Sequence, residues 1–391
     1  TSSLVGSEMC IRDRSYAYDG NFFVSKTKDA WTTMALSKEG KVDETLASMV
    51  RENERIRKFG FTEAEVERAK ATLLQRYEDM YNNRSKELNR RYVQEYVRSF
   101  SDNEGIPGIE YEYNFLKQIA PMLNAQMINA MSQGLISNKN IIITVTGPEK
   151  DGLVYPTTDE LLNVFKTVEA EDITPYAETV SDEPLISQIP QAGKVVSTTT
   201  DEKLGATVWT LSNGMKVVIK KTDFKDDEII MASHAYGGTS VIADADINNA
   251  NMASMVPYVG GIGNFSSTDL KKVLAGKSAN VNAYISGWTQ GLNGSSNIKN
   301  LETLLQLTYL YFTAPRKDEG AYTTLMDAIK NQLKNLSSEP SYVMGLRTNE
   351  AKYENNPRMK EMTLEDAENL NYDRIIEIYK EIFANPGSFT F

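Results

Sequence analysis

Two residue types are almost missing. The 391-residue chain has one cysteine, Cys10, and one histidine, His234. A lone cysteine excludes an intrachain disulfide. The two residues together cannot make a Cys/His zinc site, and a Ser–His–Asp triad would have to be built on His234. Low cysteine content fits a cytoplasmic or a periplasmic setting and does not choose between them. No run of about 18 apolar residues occurs, so no segment is long and apolar enough to cross a membrane as a helix. Basic residues are outnumbered, with 42 Lys plus Arg against 53 Asp plus Glu and a net charge of −11. A field of that sign repels polyanions and disfavours a protein that tracks nucleic-acid phosphates.

The rest is ordinary globular material. Apolar residues are 41% and charged residues 24%, enough to bury a core and to exclude disorder throughout. The length accommodates about two or three domains. The ends are unusual. Residues 1–14, TSSLVGSEMCIRDR, lack the apolar stretch of a signal peptide and have neither helical nor strand period. They resemble translated adapter read-through, and we read them, Cys10 included, as a non-native leader. At the other end, NPGSFTF over 385–391 reads as a turn entering an apolar strand that runs to the last residue. A strand ending without a partner is a poor natural terminus, so the chain reads as an internal fragment of a longer protein.

Periodicity organises the interior. Weak alternation predicts strands at 22–25 and 30–36. Val42, Leu46, Met49, Val50 and Ile56 predict a helix over 41–60 that Gly60 ends. Thr62-Glu-Ala-Glu65 is a capping box for a helix over 63–82. Further helices are expected at 84–100, 110–120 and 124–134, and a buried strand at Ile141–Val145 closed by Gly147-Pro148. A short helix over 157–168 leads into a Pro-, Thr- and Glu-rich stretch that Pro175, Pro184 and Pro190 keep extended, so 149–205 reads as an interdomain linker. A second domain opens with strands at 207–211 and 216–220 joined by Asn213-Gly214. Strands at 228–236, 280–285 and 289–295 and helices at 246–257, 268–275, 298–312, 318–335 and 363–383 follow. Strands bracketing helices give an α+β class. One repeat is visible: Leu123-Asn124 and Leu370-Asn371 each open a helix that leads into an expected strand (Ile141–Val145 and Ser388–Phe391).

These residues carry a resemblance. GFTEAEVERAKATLLQRYEDMYNNRSKELNRRYVQEYVRSF with GIEYEYNF at 108–115 resembles the second domain of the M16 (pitrilysin/insulinase-type) zinc peptidases. LSNGMKVVIKKTDFKDDEIIMASHAYGGTS at 211–240 resembles the opening strands of an M16 domain, and VGGIGNFSSTDLKKVLAGK with FTAPRKDEGAY resembles the third domain of the long single-chain bacterial members. The resemblance implies LuxS/MPP-like domains, each a mostly antiparallel sheet packed with helices. It implies that 15–148 is the C-terminal part of the second domain and 206–391 the third, inactive-type domain, truncated at the entry to the fourth. It further implies a peptide substrate, a catalytic domain upstream and a fourth domain downstream, and a periplasmic or envelope location.

The family's chemistry is an HxxEH helix with a distal Glu, two His and that Glu holding zinc and the middle Glu acting as general base. The motif is absent here. Counted from Gly238, the corresponding register falls near Asn251, Ser254 and Met255, a poor ligand set. The resemblance therefore places zinc in the parent protein only, with no catalytic or metal residue in this segment. The remaining candidates have bland readings. His234 lies on a strand pattern, where a lone histidine is more often structural. Gly276-Lys277-Ser278 hints at a P-loop, but Lys271 stands where glycine is needed, and the segment ends a helix rather than opening one. Gly260-Gly-Ile-Gly263 could hold an anion but suits a flexible turn. Asp226-Asp-Glu228, Asp244 and Asp246 could grip a cation but suit solvated turns. Tyr92, Tyr96, Tyr111 and Tyr113 have helical spacing and read as core and interface packing.

Overall fold

A β-ribbon lying against an amphipathic helix opens the described chain. The computed structural model describes residues 14–391 except 26–27, 133, 135, 138, 148, 150, 178–182, 337–338 and 355. Most of the expected leader, Cys10 included, and Pro148 thus lie outside the described residues. Two compact units emerge, one taking the chain up to Tyr81 with Glu87–Thr179, the other Asn82–Lys86 with Val180–Phe391.

In the first unit, β1 (Arg14–Ser25) pairs antiparallel with β2 (Lys28–Ser37), with Ala17 opposite Ala35. Both strands are longer than alternation suggests. One face of β2 is tied to α1 (Val42–Phe59): Trp31 Nε1 donates to Asn53 Oδ1 (3.2 Å), and Asn53 Nδ2 donates to Thr33 Oγ1 (2.9 Å). Asp43 and Glu44 in the first turn of α1 and Arg57 and Lys58 in its last turn oppose the helix dipole. Gly60, at φ 71°, ends it. The expected capping box starts α2 (Glu63–Asn82), with Glu65 N donating to Thr62 Oγ1 and Thr62 N donating to Glu65 Oε2. Then come α3 (Asn89–Asp102), α4 (Ile109–Ile119), α5 (Ala125–Ser132) and α6 (Thr158–Glu169). Arg51 of α1 grips Glu171, just past α6, with two bonds of 2.7 and 2.8 Å.

Two expectations in this part of the chain are corrected. The helix expected over 84–100 is a separate 3-10 turn, Arg84–Lys86, followed by α3. Ile141–Val145 is no strand: it has no pairing partner among the described residues, and Ile142 is 88% exposed. An apolar run becomes a strand only where a neighbour takes its backbone hydrogen bonds.

The second unit opens with β3 (Val195–Asp201), β4 (Ala206–Leu211) and β5 (Lys216–Ile219), an antiparallel meander. Next are β6 (Ile229–Ala232), β7 (Ala235–Tyr236), α7 (Ile247–Met252), α8 (Val256–Gly260) and α9 (Ser267–Val273). The chain continues through β8 (Ala279–Ile285), β9 (Thr289–Ser296), α10 (Leu301–Thr313), α11 (Glu319–Leu336), α12 (Pro340–Tyr353), α13 (Leu364–Glu368) and α14 (Tyr372–Ile382). Strand β9 is central, with β8 on one side and β6 and β7 on the other. The last residues stitch the two sheets together. His234 and Thr390 exchange backbone bonds of 2.9 Å, while Val218 N donates to Phe391 O (2.7 Å) on the opposite side. The stretch 149–205 is therefore not uniform: α6 belongs to the first unit and β3 to the meander of the second.

Alternation explains the core. Ala235, Val281 and Leu292 turn inward from the sheet onto Leu304, Leu307 and Leu310 of α10 and Ile375, Ile378 and Tyr379 of α14. Three long elements expected here are broken. The strand over 228–236 is interrupted at Ser233, whose hydroxyl accepts from Leu292 N (2.8 Å). The helix over 246–257 becomes α7, a 3-10 turn and α8, because Pro257 has no N–H to bond the preceding turn. The helix over 363–383 divides at Asn371, whose side chain caps α14 by accepting from Arg374 N (3.0 Å). Asn124 caps α5 in the same way through Met127 N, so both halves of the sequence repeat open with an asparagine cap. Helix α12 was not expected at all.

Candidate functional site

Each candidate group can be followed to its surroundings. The register Asn251–Met255 spans the end of α7 and the 3-10 turn Ala253–Met255, so it is not a continuous α-helix. Asn251 is exposed, while Ser254 and Met255 are half-buried. Their donors are an amide, a hydroxyl and a thioether, which suit zinc poorly beside imidazole, thiolate or carboxylate. His234 lies elsewhere, on the sheet, exposed, with its ring edge-on to Tyr236 at 6.1 Å. Among the described residues no three His, Cys, Asp or Glu side chains come together around a point that could hold a metal. The residues present do not fit a zinc ion.

The glycine-rich turn is a packing device. Its amide donors are used internally: Gly261 N bonds Pro257 O, Ile262 N bonds Phe265 O, and Gly263 N bonds Ala314 O (3.0, 3.1 and 2.8 Å). An anion would find none of these three free. Glycine is required at 260, where a Cβ would lie 2.0 Å from Arg316 O. Gly276-Lys277-Ser278 follows the end of α9, and Lys277 N closes that turn onto Leu274 O (3.0 Å).

Asp226, Asp227, Asp244 and Asp246 are engaged by the protein. Asp227 accepts from Ile298 N (3.0 Å), pinning the turn before β6. Asp244 pairs with Arg358 (2.7 Å) and Asp246 with Arg374 (2.9 Å). Arg358 also donates to the carbonyls of Thr239 (2.8 Å) and Ile242 (2.6 Å), so one guanidinium clamps the whole 239–244 loop. No sequence signal marks Arg358, because its partners lie more than a hundred residues away.

The tyrosines divide. Tyr113 is buried, stacked on Tyr81 at 5.0 Å, with its hydroxyl pushed up by burial and by Glu78. Tyr92, Tyr96 and Tyr111 are exposed, so of the four only Tyr113 is packed in a core within this chain. Deeper in the second unit, burial pushes the Tyr311 hydroxyl up to about 12 and the Tyr379 hydroxyl well above its usual value. A small cavity of about 110 Å³ in the first unit, lined by Ile56, Phe59, Gly60, Asn129 and Ser132, is too small for a peptide. The broader open surface is the outer face of the second sheet. Ile230 (76% exposed), His234 and Tyr236 (84%) alternate along its edge, with Trp288 close by at the β9 turn, whose carbonyl accepts from Gly237 N (2.9 Å).

Comparison with known proteins gives this arrangement a context. Residues 9–73 match the family model of the peptidase M16 inactive domain. The chain is 26% identical, over 86% of its length, to an Arabidopsis thaliana protein described as a PQQL-like zinc protease. It covers 33% of that relative, so it spans about a third of its length. Among solved structures, the ferredoxin protease FusC, crystallised with Arabidopsis ferredoxin, has a TM-score of 0.60 at 15% identity, over 97% of this chain and 42% of FusC. The periplasmic protease PqqL from Escherichia coli aligns over the same shares at 16% identity, with a TM-score of 0.49. An inactive-domain match over residues 9–73 and a zinc-protease relative spanning most of the chain agree, and the chain resembles the M16 peptidases, with an α+β fold like that of FusC.

Proposed function

We propose that this chain is the supporting part of a longer M16 zinc endopeptidase. It supplies chamber wall and substrate-holding surface, and zinc is held by sequence outside it. In this reading 15–148 is the end of a second M16 domain, 149–205 a linker and 206–391 a third, inactive-type domain. A catalytic domain precedes them and a fourth follows. The observation that carries the reading is the bare outer face of the second sheet. Its inner face is packed by α10 and α14, while Ile230 and Tyr236 stand 76% and 84% exposed on the other. Large apolar side chains on an open strand suit contact with an extended polypeptide. FusC, which shares the fold, was crystallised with a protein bound, in keeping with a polypeptide occupant. A periplasmic or envelope setting belongs to the same proposal and rests on the family resemblance.

The amide, hydroxyl and thioether of Asn251, Ser254 and Met255 also suit a second reading, a non-catalytic M16-like protein that binds peptides without cutting them. One experiment separates the two. The gene is read and expressed across both ends of this segment, and the product is assayed on a fluorogenic peptide. The first reading expects HxxEH upstream, cleavage by the intact product, and its loss on Glu→Gln in that motif. An upstream domain without the ligands, and a product that binds peptide without hydrolysis, would support the second. Zinc-dependent cleavage by the 391-residue chain alone would overturn both.

A further inference from the structure

Helix α3 is amphipathic, and its apolar side is uncovered. Leu88, Tyr92, Val93, Tyr96, Val97 and Phe100 fall within one half of the helical wheel, and the charged residues Arg90, Arg91, Glu95, Arg98 and Asp102 fall on the other. The apolar half should be the buried one. Instead none of the helix's residues is buried: Leu88 is 70% exposed, Tyr96 56%, Val97 59% and Phe100 94%. Weighting side chains of about 150–200 Å² by such exposures leaves on the order of 600 Å² of apolar surface on one helix face. That is the upper end for the largest patch on a monomer and approaches the roughly 800 Å² each partner gives to a standard interface. The same unit shows a second incomplete feature. Its ribbon, β1 and β2, is a two-stranded sheet with no third strand among the described residues. An isolated pair of strands is marginal in water.

We propose that the apolar face of α3 is an interface covered by protein from the part of the longer polypeptide that lies outside this chain. This rests on the reading above, that the chain is a piece of a larger peptidase. The occupant follows from length: the curated relative extends over about three times this chain, which covers 33% of it, so ample protein is available to cover the patch. A peptide in transit would leave the face wet most of the time, whereas a packed domain removes it from water permanently and so offsets the exposure of six adjoining apolar residues.

The test is amide hydrogen exchange of α3 in two proteins, the dilute 391-residue chain and the intact gene product. The expected result is fast exchange in the chain alone and at least tenfold greater protection in the intact product. In the intact product, Phe100→Asp with Tyr96→Asp is expected to abolish that added protection, while exchange in α1 and α2 stays unchanged and so reports that the first unit remains folded. Equal exchange of α3 in the two proteins overturns the interface but leaves the peptidase reading standing if HxxEH lies upstream. Protection already present in the dilute chain assigns the cover to this chain itself, and protection that appears only as its concentration rises assigns it to a second copy. Either outcome overturns the proposal. A gene product no longer than this chain overturns both the interface and the reading beneath it.

Discussion

Replacing Tyr379 with phenylalanine should weaken the second unit by about 1–3 kcal/mol, the range for leaving a buried polar group without its partner. Tyr379 is fully buried, and its hydroxyl donates to the carbonyl of Tyr311 at 2.8 Å. Tyr311 lies in the last turn of α10, where helix carbonyls have no intrahelical donor. The α14 tyrosine thus acts as a side-chain cap for α10. Tyr379→Phe keeps the ring, and with it the stacking on Phe383 at 4.7 Å, so no cavity opens and the loss isolates the hydrogen bond. The assay is urea unfolding followed by tryptophan fluorescence in a Trp31→Phe background, which leaves only Trp209 and Trp288, both in the second unit. The midpoint should fall with the slope unchanged. A loss below about 0.5 kcal/mol would refute the reasoning, because solvent would then be reaching the Tyr311 carbonyl. The same pair sets an alkaline limit. Burial raises both hydroxyls above the unfolded value of 10, Tyr311 to about 12. Stability they contribute is therefore complete below pH 10 and is lost as pH rises through their folded values, and Tyr379→Phe should flatten that fall.

Further outcomes are expected elsewhere. The Arg51 guanidinium bound to Glu171 holds that carboxyl below the usual range, so its contribution is present at neutral pH and lost as pH falls through the folded value. Arg51→Met should cost about 1 kcal/mol at pH 7 and progressively less as pH falls through the folded value of Glu171, read by urea titration along that range. Gly291→Ala should cost at least about 2 kcal/mol and lower expression, since a Cβ there would lie 1.9 Å from the Ser233 carbonyl of the neighbouring strand. Thr62→Ala should cost about 1 kcal/mol by removing the α2 cap, measured as a lowered thermal midpoint of the first unit.

Legibility in the sequence followed the range of the forces. Helices α1 and α2 were readable because their stripes, caps and the closing Gly60 are local. The hairpin of β4 and β5 around Asn213-Gly214 was readable for the same reason, the turn dictating its own geometry, whereas β3 lay within the expected linker. Ile141–Val145 was misread because an apolar run does not reveal whether a neighbouring strand exists. The break at Ser233 was hidden because it depends on Leu292, 59 residues away. At the candidate site, the scarcity of histidine was legible from composition, and the unsuitable donors at Asn251, Ser254 and Met255 followed from the family resemblance. The Arg358 clamp and the fully used amides of the glycine turn were not, since both rest on partners distant in sequence. The exposure of α3 was hidden for a related reason: helical spacing announces an apolar face without saying what lies against it.

The central proposal is that this segment is part of a longer M16-like zinc peptidase without itself carrying the metal site. Its most direct test is the metal content of the purified 391-residue chain after incubation with zinc and exhaustive dialysis, measured by elemental analysis. The account expects well under one-tenth of a zinc per chain, on the order of background, because the Asn251–Met255 register offers no strong ligand and the sole histidine lies on the sheet. One zinc per chain that survives dialysis and is lost on His234→Ala would contradict it.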